Sequence, residues 1–409
     1  MSPKVRHTFS LFSLFFTLFN DLIGWSIVLV LFAPLILNSQ FDFLPQTASL
    51  ESRTIVLGLL LGCYGFAQFF SATWLGTLSD RYGRRFVLMV SVAGSFLSYV
   101  FAGFAVGFHS LTLLFLSRLL GGLFAGNQTI VSAAVGDVSD NKHRARNMSR
   151  ISTVGGLAWI IGSPLGGKLS DNQLISWFNY STPFWFLALL FFINLICIFI
   201  GFKETYKPQK PKNRSVFGDI KELKWVMKQH PLKTTLITTF VFQLGWFFFL
   251  LFYPAYMVER FGMNASEIGD YSGFFAICYF AGSYLYGRFW AKHFNPENSI
   301  FTSSLILGLA VISFIIPANP NWFYLIMIFC GIFGATSFIN CVALLSKLAG
   351  KEKQGAVFGI QGSLQSIGFF ISPFLAGLFA ATHPLVPMVI GCLLILASAL
   401  YFRLKYRFS

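Results

Sequence analysis

Gly76-Thr77-Leu78-Ser79-Asp80-Arg81-Tyr82-Gly83-Arg84-Arg85 joins two long apolar blocks, and the reading of this stretch decides the fold. Three arginines and one aspartate crowd into a connection far too short to be a domain. Gly76 lets a neighbouring helix approach closely, while Asp80 can cap a helix N-terminus or pair with a loop cation. The flanking blocks, 53–77 and 86–108, are each long enough to cross a bilayer core as a helix. A cationic turn between two such blocks belongs at a membrane surface.

Working outward, blocks of the same kind fill the chain. They fall at 9–37, 53–77, 86–108, 111–136, 147–170 and 182–203, then at 231–257, 267–291, 298–317, 321–346, 354–380 and 384–404. The first is too long for the core of a signal peptide and reads as a span. Between the two sets of six lies 204–229, which is basic, polar and Pro-containing. It reads as a linker ending in a short amphipathic helix near 216–229. The expected organisation is an all-α membrane protein of twelve helices: a six-helix bundle over 1–203, a cytoplasmic linker over 204–229, and a second six-helix bundle over 230–409.

Composition agrees. Of 409 residues, 55% are hydrophobic and 11% charged, where a soluble domain runs near a quarter charged. The 51 Phe and 36 Gly suit helices that face lipid on one side and pack closely on the other. A net charge of +15 would suggest nucleic acid in a soluble chain, but here the charges sit in short loops. With both termini and the linker on the cytoplasmic side, 26 of the 30 Lys and Arg lie inside, which sets the orientation. The six Cys all fall within apolar blocks without C-x-x-C spacing, so they read as core residues. No nucleophile elbow, phosphate loop or metal-ligand cluster is present, so an enzyme is disfavoured. No cofactor, metal or nucleic-acid partner is expected.

Three intramembrane features point to function. Asp21 is an acid well inside the first span, whereas Glu259 and Asp270 lie near span ends. Arg118 is an intramembrane cation, stacked at intervals of four with Gly122 and Gly126. A carboxylate that alternates between an apolar setting and the neighbourhood of a cation can carry one proton per cycle, so Asp21 and Arg118 are the proton-coupling candidates. Third, uncharged polar and aromatic residues are placed to line a central cavity: Trp25, Tyr64, Gln68, Asn127, Gln128, Gln243, Trp246, Tyr253, Asn340, Gln361 and Gln365. Such a lining suits an amphiphilic organic solute.

The stretch 76–85 reads G-x-x-x-D-R-x-G-R-R, and it resembles the signature between spans 2 and 3 of the major facilitator superfamily. The resemblance implies two six-helix bundles related by a pseudo-two-fold axis, alternating access, and a gate built on Gly76, Asp80, Arg81, Gly83, Arg84 and Arg85. The second half keeps a degenerate copy around Gly287-Arg288 and Lys292, without an acid. In span 5, Gly162-Ser163-Pro164-Leu165-Gly166-Gly167 is similar to the G-P-x-x-G-G motif of proton-driven drug antiporters, with Ser163 in place of the first Pro. Gly162, Pro164, Gly166 and Gly167 would loosen a helix that bends or slides.

The likeness extends to the tetracycline-efflux-like branch. It rests on Asp21-Leu22-Ile23-Gly24 and Pro34, Tyr64 and Gln68, Gly136-Asp137 with Arg144 and Arg146, Asn194 with Lys203-Glu204, and Gln361-Gly362-Ser363-Leu364 with Ser366 and Pro373. Two departures stand out. Span 3 has Ser98-Tyr99 where that branch carries an acid, and span 9 has no acid over 301–316. The expected function is secondary transport of a small organic solute across a bacterial inner membrane by a monomer, as proton-coupled efflux. The rival readings are a proton-coupled importer of a nutrient or metal–chelator complex, and a sensor that binds without moving its ligand.

Overall fold

The computed structural model describes residues 3–139, 144–205, 220–316 and 319–406, and among them regular structure is entirely helical. The order is α1 (Pro3–Leu37), α2 (Leu50–Tyr82), α3 (Arg84–Gly107), α4 (Leu111–Leu123), α5 (Asn127–Val138), α6 (Arg144–Leu169), α7 (Thr182–Gly201) and α8 (Ile220–Lys228). Then follow α9 (His230–Phe261), α10 (Ala265–Leu285), a π turn (Tyr286–Trp290) leading into the one-turn α11 (Ala291–His293), α12 (Pro296–Ile312), α13 (Trp322–Ala380) and α14 (Val386–Lys405). Among the described residues, ten stretches are long and apolar enough to cross a membrane. The other two spans are α6, which opens with Arg144, Arg146 and Arg150, and α10, which carries Ser266, Glu267 and Asp270. Together they make an all-α fold of twelve spans.

Two details differ from the sequence reading. The fourth span, expected as one helix over 111–136, breaks between α4 and α5. Ser91 Oγ donates to the Phe124 carbonyl at 2.6 Å, and the Phe124 ring lies so close over Gly94 that any Cβ there would overlap it. Long-range packing therefore draws the Phe124 carbonyl out of the helical ladder, while its N–H still donates to the Leu120 carbonyl at 3.2 Å. The tenth and eleventh spans remain two helices within α13, parted at Gly350 (φ 63°, ψ 166°), a positive-φ conformation that glycine adopts without a Cβ penalty. The π turn at Tyr286–Trp290 was not foreseen in the block 267–291. Linker residues 206–219 lie outside the described residues; the amphipathic part is α8, whose Val226 is buried with Leu232, Leu236, Leu345 and Val357.

The chain divides into two compact units. The first is Met1–Ala48, Cys63–Val216 and Asn264–Asp270; the second is Ser49–Gly62, Phe217–Met263 and Tyr271–Ser409. Helices α2 and α10 are thus each shared between the units. In the first unit, α1 lies along α6 because Gly162 and Gly166 leave room for Ser26 and Ile27. On its other side α1 meets α7 through polar contacts: Asn20 Nδ2 donates to the Leu190 carbonyl at 3.1 Å, and Asn194 Nδ2 to Thr17 Oγ1 at 2.9 Å. Inside the bilayer such bonds position helices where hydrophobicity alone cannot. The start of α10 completes this unit. Gly167 packs on the Ala265 and Ser266 backbone, and Lys168 Nζ donates to Asp270 Oδ2 at 2.7 Å and to Ser266 Oγ at 3.0 Å.

In the second unit α9 is the central helix, and its Phe249, Phe252, Tyr253 and Tyr256 are almost fully buried. The beginning of α2 belongs here, with Gly58 against Gly377 of α13 at backbone contact distance. Near it, Thr54 Oγ1 donates to Glu259 Oε1 at 3.5 Å.

Candidate functional site

The break after α4 sets the N-terminus of α5 beside α1. Asn127, the first residue of α5, is fully buried, and its Nδ2 donates to Asp21 Oδ1 at 3.0 Å. Asp21 Oδ2 and Asn127 Oδ1 are buried and without a hydrogen-bond partner. One turn along α1, Trp25 meets Tyr64 of α2 edge to face, with ring centroids 4.7 Å apart.

Beyond them stands Arg118 of α4, only 3% exposed. Its guanidinium carbon lies 5.4 Å from the Phe32 ring centroid, 5.8 Å from Tyr64 and 5.6 Å from Tyr99. Three rings thus cage one cation, each contributing about 0.5–2 kcal/mol of cation–π attraction. No ion pair joins Arg118 to Asp21 among the described residues, and Arg118 Nε and Nη2 carry no hydrogen bond. Both charges nevertheless act on the Tyr64 and Tyr99 hydroxyls, so they share one neighbourhood. Asp21, Trp25, Tyr64, Asn127 and Arg118 are therefore brought together in the first unit. Gln68 is half-buried on α2 and Gln128 is exposed on α5.

The signature stretch forms the turn from α2 into α3. Gly83 adopts φ 96°, where a side chain would be strained and a Cβ would overlap the Glu204 carboxylate. That carboxylate caps α3: the backbone N–H of Arg84 donates to Oε1 at 2.8 Å and that of Arg85 to Oε2 at 3.0 Å. The helix dipole favours an anion there. Asp80, one of two roles left open for it, takes the pairing role, with Arg84 Nη1 at 2.8 Å from its Oδ1. Arg84 also donates to Ser79 Oγ at 2.8 Å and reaches Asp137 Oδ2 at 3.4 Å, while Arg85 Nη2 donates to the Phe199 carbonyl at 2.6 Å. Arg81 is exposed over the Tyr82 ring, and Gly76 faces Thr129 at ordinary contact distance. In α6, Gly162 and Gly166 face α1, Gly167 faces α10, and Pro164 lies against Gly269.

The remaining candidates sit in the second unit. Trp246 is packed among Phe242, Phe249, Phe275 and Tyr279, over Gly334. Gln243 is 2% exposed with neither amide atom bonded. Gln361 Nε2 donates to Gln365 Oε1 at 3.3 Å, so these two face each other as their spacing implies. Tyr253 pairs with Ser272, and Asn340 Nδ2 donates back to the Thr336 carbonyl at 2.8 Å; both are engaged in helix packing.

Sequence reasoning missed Phe32 and Tyr99 as walls of the Arg118 cage, and Glu204 as the cap. An intramembrane Arg without an acid at helical spacing is a signal that aromatic faces are needed, but it does not say which ones.

The sequence profile of the Major Facilitator Superfamily matches residues 14–233 and 235–408. Over 346 residues the chain is 25% identical to the quinolone resistance protein NorA of Staphylococcus aureus (strain MSSA476), covering 82% of this chain and 84% of that protein. Over 340 residues it is 26% identical to the class H tetracycline resistance protein of Pasteurella multocida, covering 81% of each. Among solved structures, a bacterial homolog of the human lysosomal transporter Spinster superposes with a TM-score of 0.77 at 15% identity, over 99% of this chain and 97% of that one. A D-xylose–proton symporter gives 0.75 at 14% identity, over 97% and 98%.

Proposed function

Because the chain belongs to the major facilitator superfamily, and is therefore an integral membrane transporter, we propose that it moves a small amphiphilic organic solute outward by alternating access in exchange for protons. One observation carries this reading: the pair Asp21–Asn127 deep in the first unit, with a caged Arg118 close by. An intramembrane acid held by a single neutral donor, its second oxygen unpartnered, is equipped to take up and release a proton. Arg118 supplies positive potential without locking Asp21 in an ion pair. Trp25 and Tyr64 supply an apolar surface between them. The outward direction is supported by relatives named for quinolone and tetracycline resistance. The charge distribution supports both termini and the linker on the cytoplasmic side of a bacterial inner membrane. Gating is assigned to the α2–α3 turn and to the α6 glycines, and the carrier works as a monomer.

Proteoliposomes with an imposed pH gradient test the proposal. Amphiphilic solutes should accumulate against the direction of proton flow. Movement with the protons would favour import, which Ser163 in place of the antiporter proline also favours. No response to the gradient in either orientation would overturn proton coupling.

The gate makes its own prediction. In Asp80→Asn, Arg84 keeps Ser79 and Asp137, so the protein should insert and fold normally. The ion pair across the Gly83 turn is lost, which changes the balance between conformations. A shift of ~1.4 kcal/mol slows turnover about tenfold. Wild-type flux at wild-type expression would reduce the stretch to a signal for topology.

A further inference from the structure

Among the buried polar atoms of the first unit without a hydrogen-bond partner, four belong to the cluster around Trp25 and Tyr64. Two are donors, Nε and Nη2 of Arg118; two are acceptors, Oδ2 of Asp21 and Oδ1 of Asn127. We propose that they recognise a zwitterionic amphiphile, its carboxylate on Arg118, its ammonium at Asp21 and Asn127, and its apolar body along Trp25 and Tyr64. This rests on the reading of the cluster as the transport site.

The donors are specific in shape. The guanidinium stands over the rings of Phe32, Tyr64 and Tyr99, and on its rim Nε and Nη2 make no hydrogen bond. Nε–H and Nη2–H form one side of that rim and point the same way, at the spacing of two carboxylate oxygens. The chain covers this edge without giving either nitrogen a hydrogen-bond acceptor, and Arg118 is only 3% exposed. A buried cation in such a setting calls for an anion. Asp21 does not provide it, since its carboxylate turns toward Asn127.

The acceptors are equally specific. Asn127 directs its amide nitrogen to Asp21 Oδ1, and the unpartnered atoms of the pair are two oxygens, Asp21 Oδ2 and Asn127 Oδ1. Carboxylate and amide oxygens together accept from an ammonium and repel another anion. A purely anionic solute would sit beside Asp21, and a purely cationic one would leave the Arg118 edge empty. A zwitterion satisfies both poles. Its ammonium and a proton compete for the same carboxylate, which is the requirement for exchange.

The test uses the purified full chain and three rigid probes: 4′-(aminomethyl)biphenyl-4-carboxylate, its methyl ester, and its N-acetyl derivative. Calorimetry near neutral pH should find the zwitterion bound about tenfold or more tighter than either blocked probe, because each block leaves a buried group unpaired. In Arg118→Lys the advantage over the ester should collapse, and in Asp21→Asn the advantage over the N-acetyl derivative should collapse. Monodisperse elution and an unchanged melting curve establish that each variant is folded. Equal binding of ester and zwitterion by the wild type overturns the proposal, as does failure of all three to bind. So does Arg118→Lys weakening all three probes alike, since the edge would then serve packing or Asp21. If gradient-driven exchange of another solute persists in any of these cases, the carrier reading stands and only the substrate class falls. If the zwitterion preference holds while no gradient drives flux, the carrier reading falls instead.

Discussion

Asp21→Asn should reduce solute movement driven by a pH gradient to the level of protein-free vesicles, a loss of roughly a hundredfold or more if this carboxylate carries the coupled proton. The substitution preserves size, and the introduced amide oxygen can still accept from Asn127 Nδ2, so the contact between α1 and α5 survives. What disappears is the ability to bind a proton at one stage and release it at another. Other acids are poorly placed to substitute. Asp270 is engaged by Lys168, Glu259 sits with Thr54 near the end of α9, and Asp80 and Asp137 are bound to Arg84. Counterflow exchange, which needs no net proton movement, separates two roles. Counterflow at the wild-type rate assigns the carboxylate to the proton alone; weakening together with solute binding assigns it to the solute as well. Undiminished gradient-driven flux in Asp21→Asn would remove the acid from the coupling scheme.

Arg118→Ala should abolish transport almost as completely while leaving the fold nearly as stable. The two halves of this expectation have separate causes. Truncation forfeits the cation–π contacts with Phe32, Tyr64 and Tyr99, on the order of 0.5–2 kcal/mol each. It also removes a buried charge whose desolvation costs several kcal/mol, and no acid is orphaned, because none was paired with it. These effects oppose each other, so the melting temperature should move little. Solute affinity should instead fall by about thirtyfold or more, since a charge-assisted contact is worth ~2–3 kcal/mol when buried. A large drop in thermal stability with normal affinity would make Arg118 a structural residue and dissolve the site on α4.

The twelve spans were legible because membrane crossing imposes a length and a composition that each stretch of chain must satisfy alone. Gly83 was legible only as a member of the signature stretch; its positive φ and its contact with Glu204 were not, because the capping carboxylate lies 120 residues from Arg84. Nor was the break before Asn127. Locally, Gly121 through Gln128 reads as a small-residue helical stripe, and its interruption depends on Ser91 and Gly94 of another helix. The same holds for Arg118: its charge was visible, but Phe32, Tyr64 and Tyr99 converge on it from three helices. Asp21 was found by its rarity as an intramembrane acid. Its partner Asn127 appeared only as one of many polar residues, because spacing along the chain carries no information across 106 residues.

The sharing of α10 between units bears on biosynthesis. Residues 264–270 complete the first unit, yet they are translated after the linker and after the whole of α9. A nascent chain that has finished α7 must wait for about 65 further residues, ~3–13 s at 5–20 residues per second, before Gly167 and Lys168 meet their counterparts. During that interval the cationic end of α6 has no Asp270, and the newly inserted helices are open to quality-control proteases and insertion factors. Maturation of the first unit is therefore gated by synthesis of the second. Separately expressed halves, cut within the linker, would each be delivered to the membrane lacking a piece that the other carries.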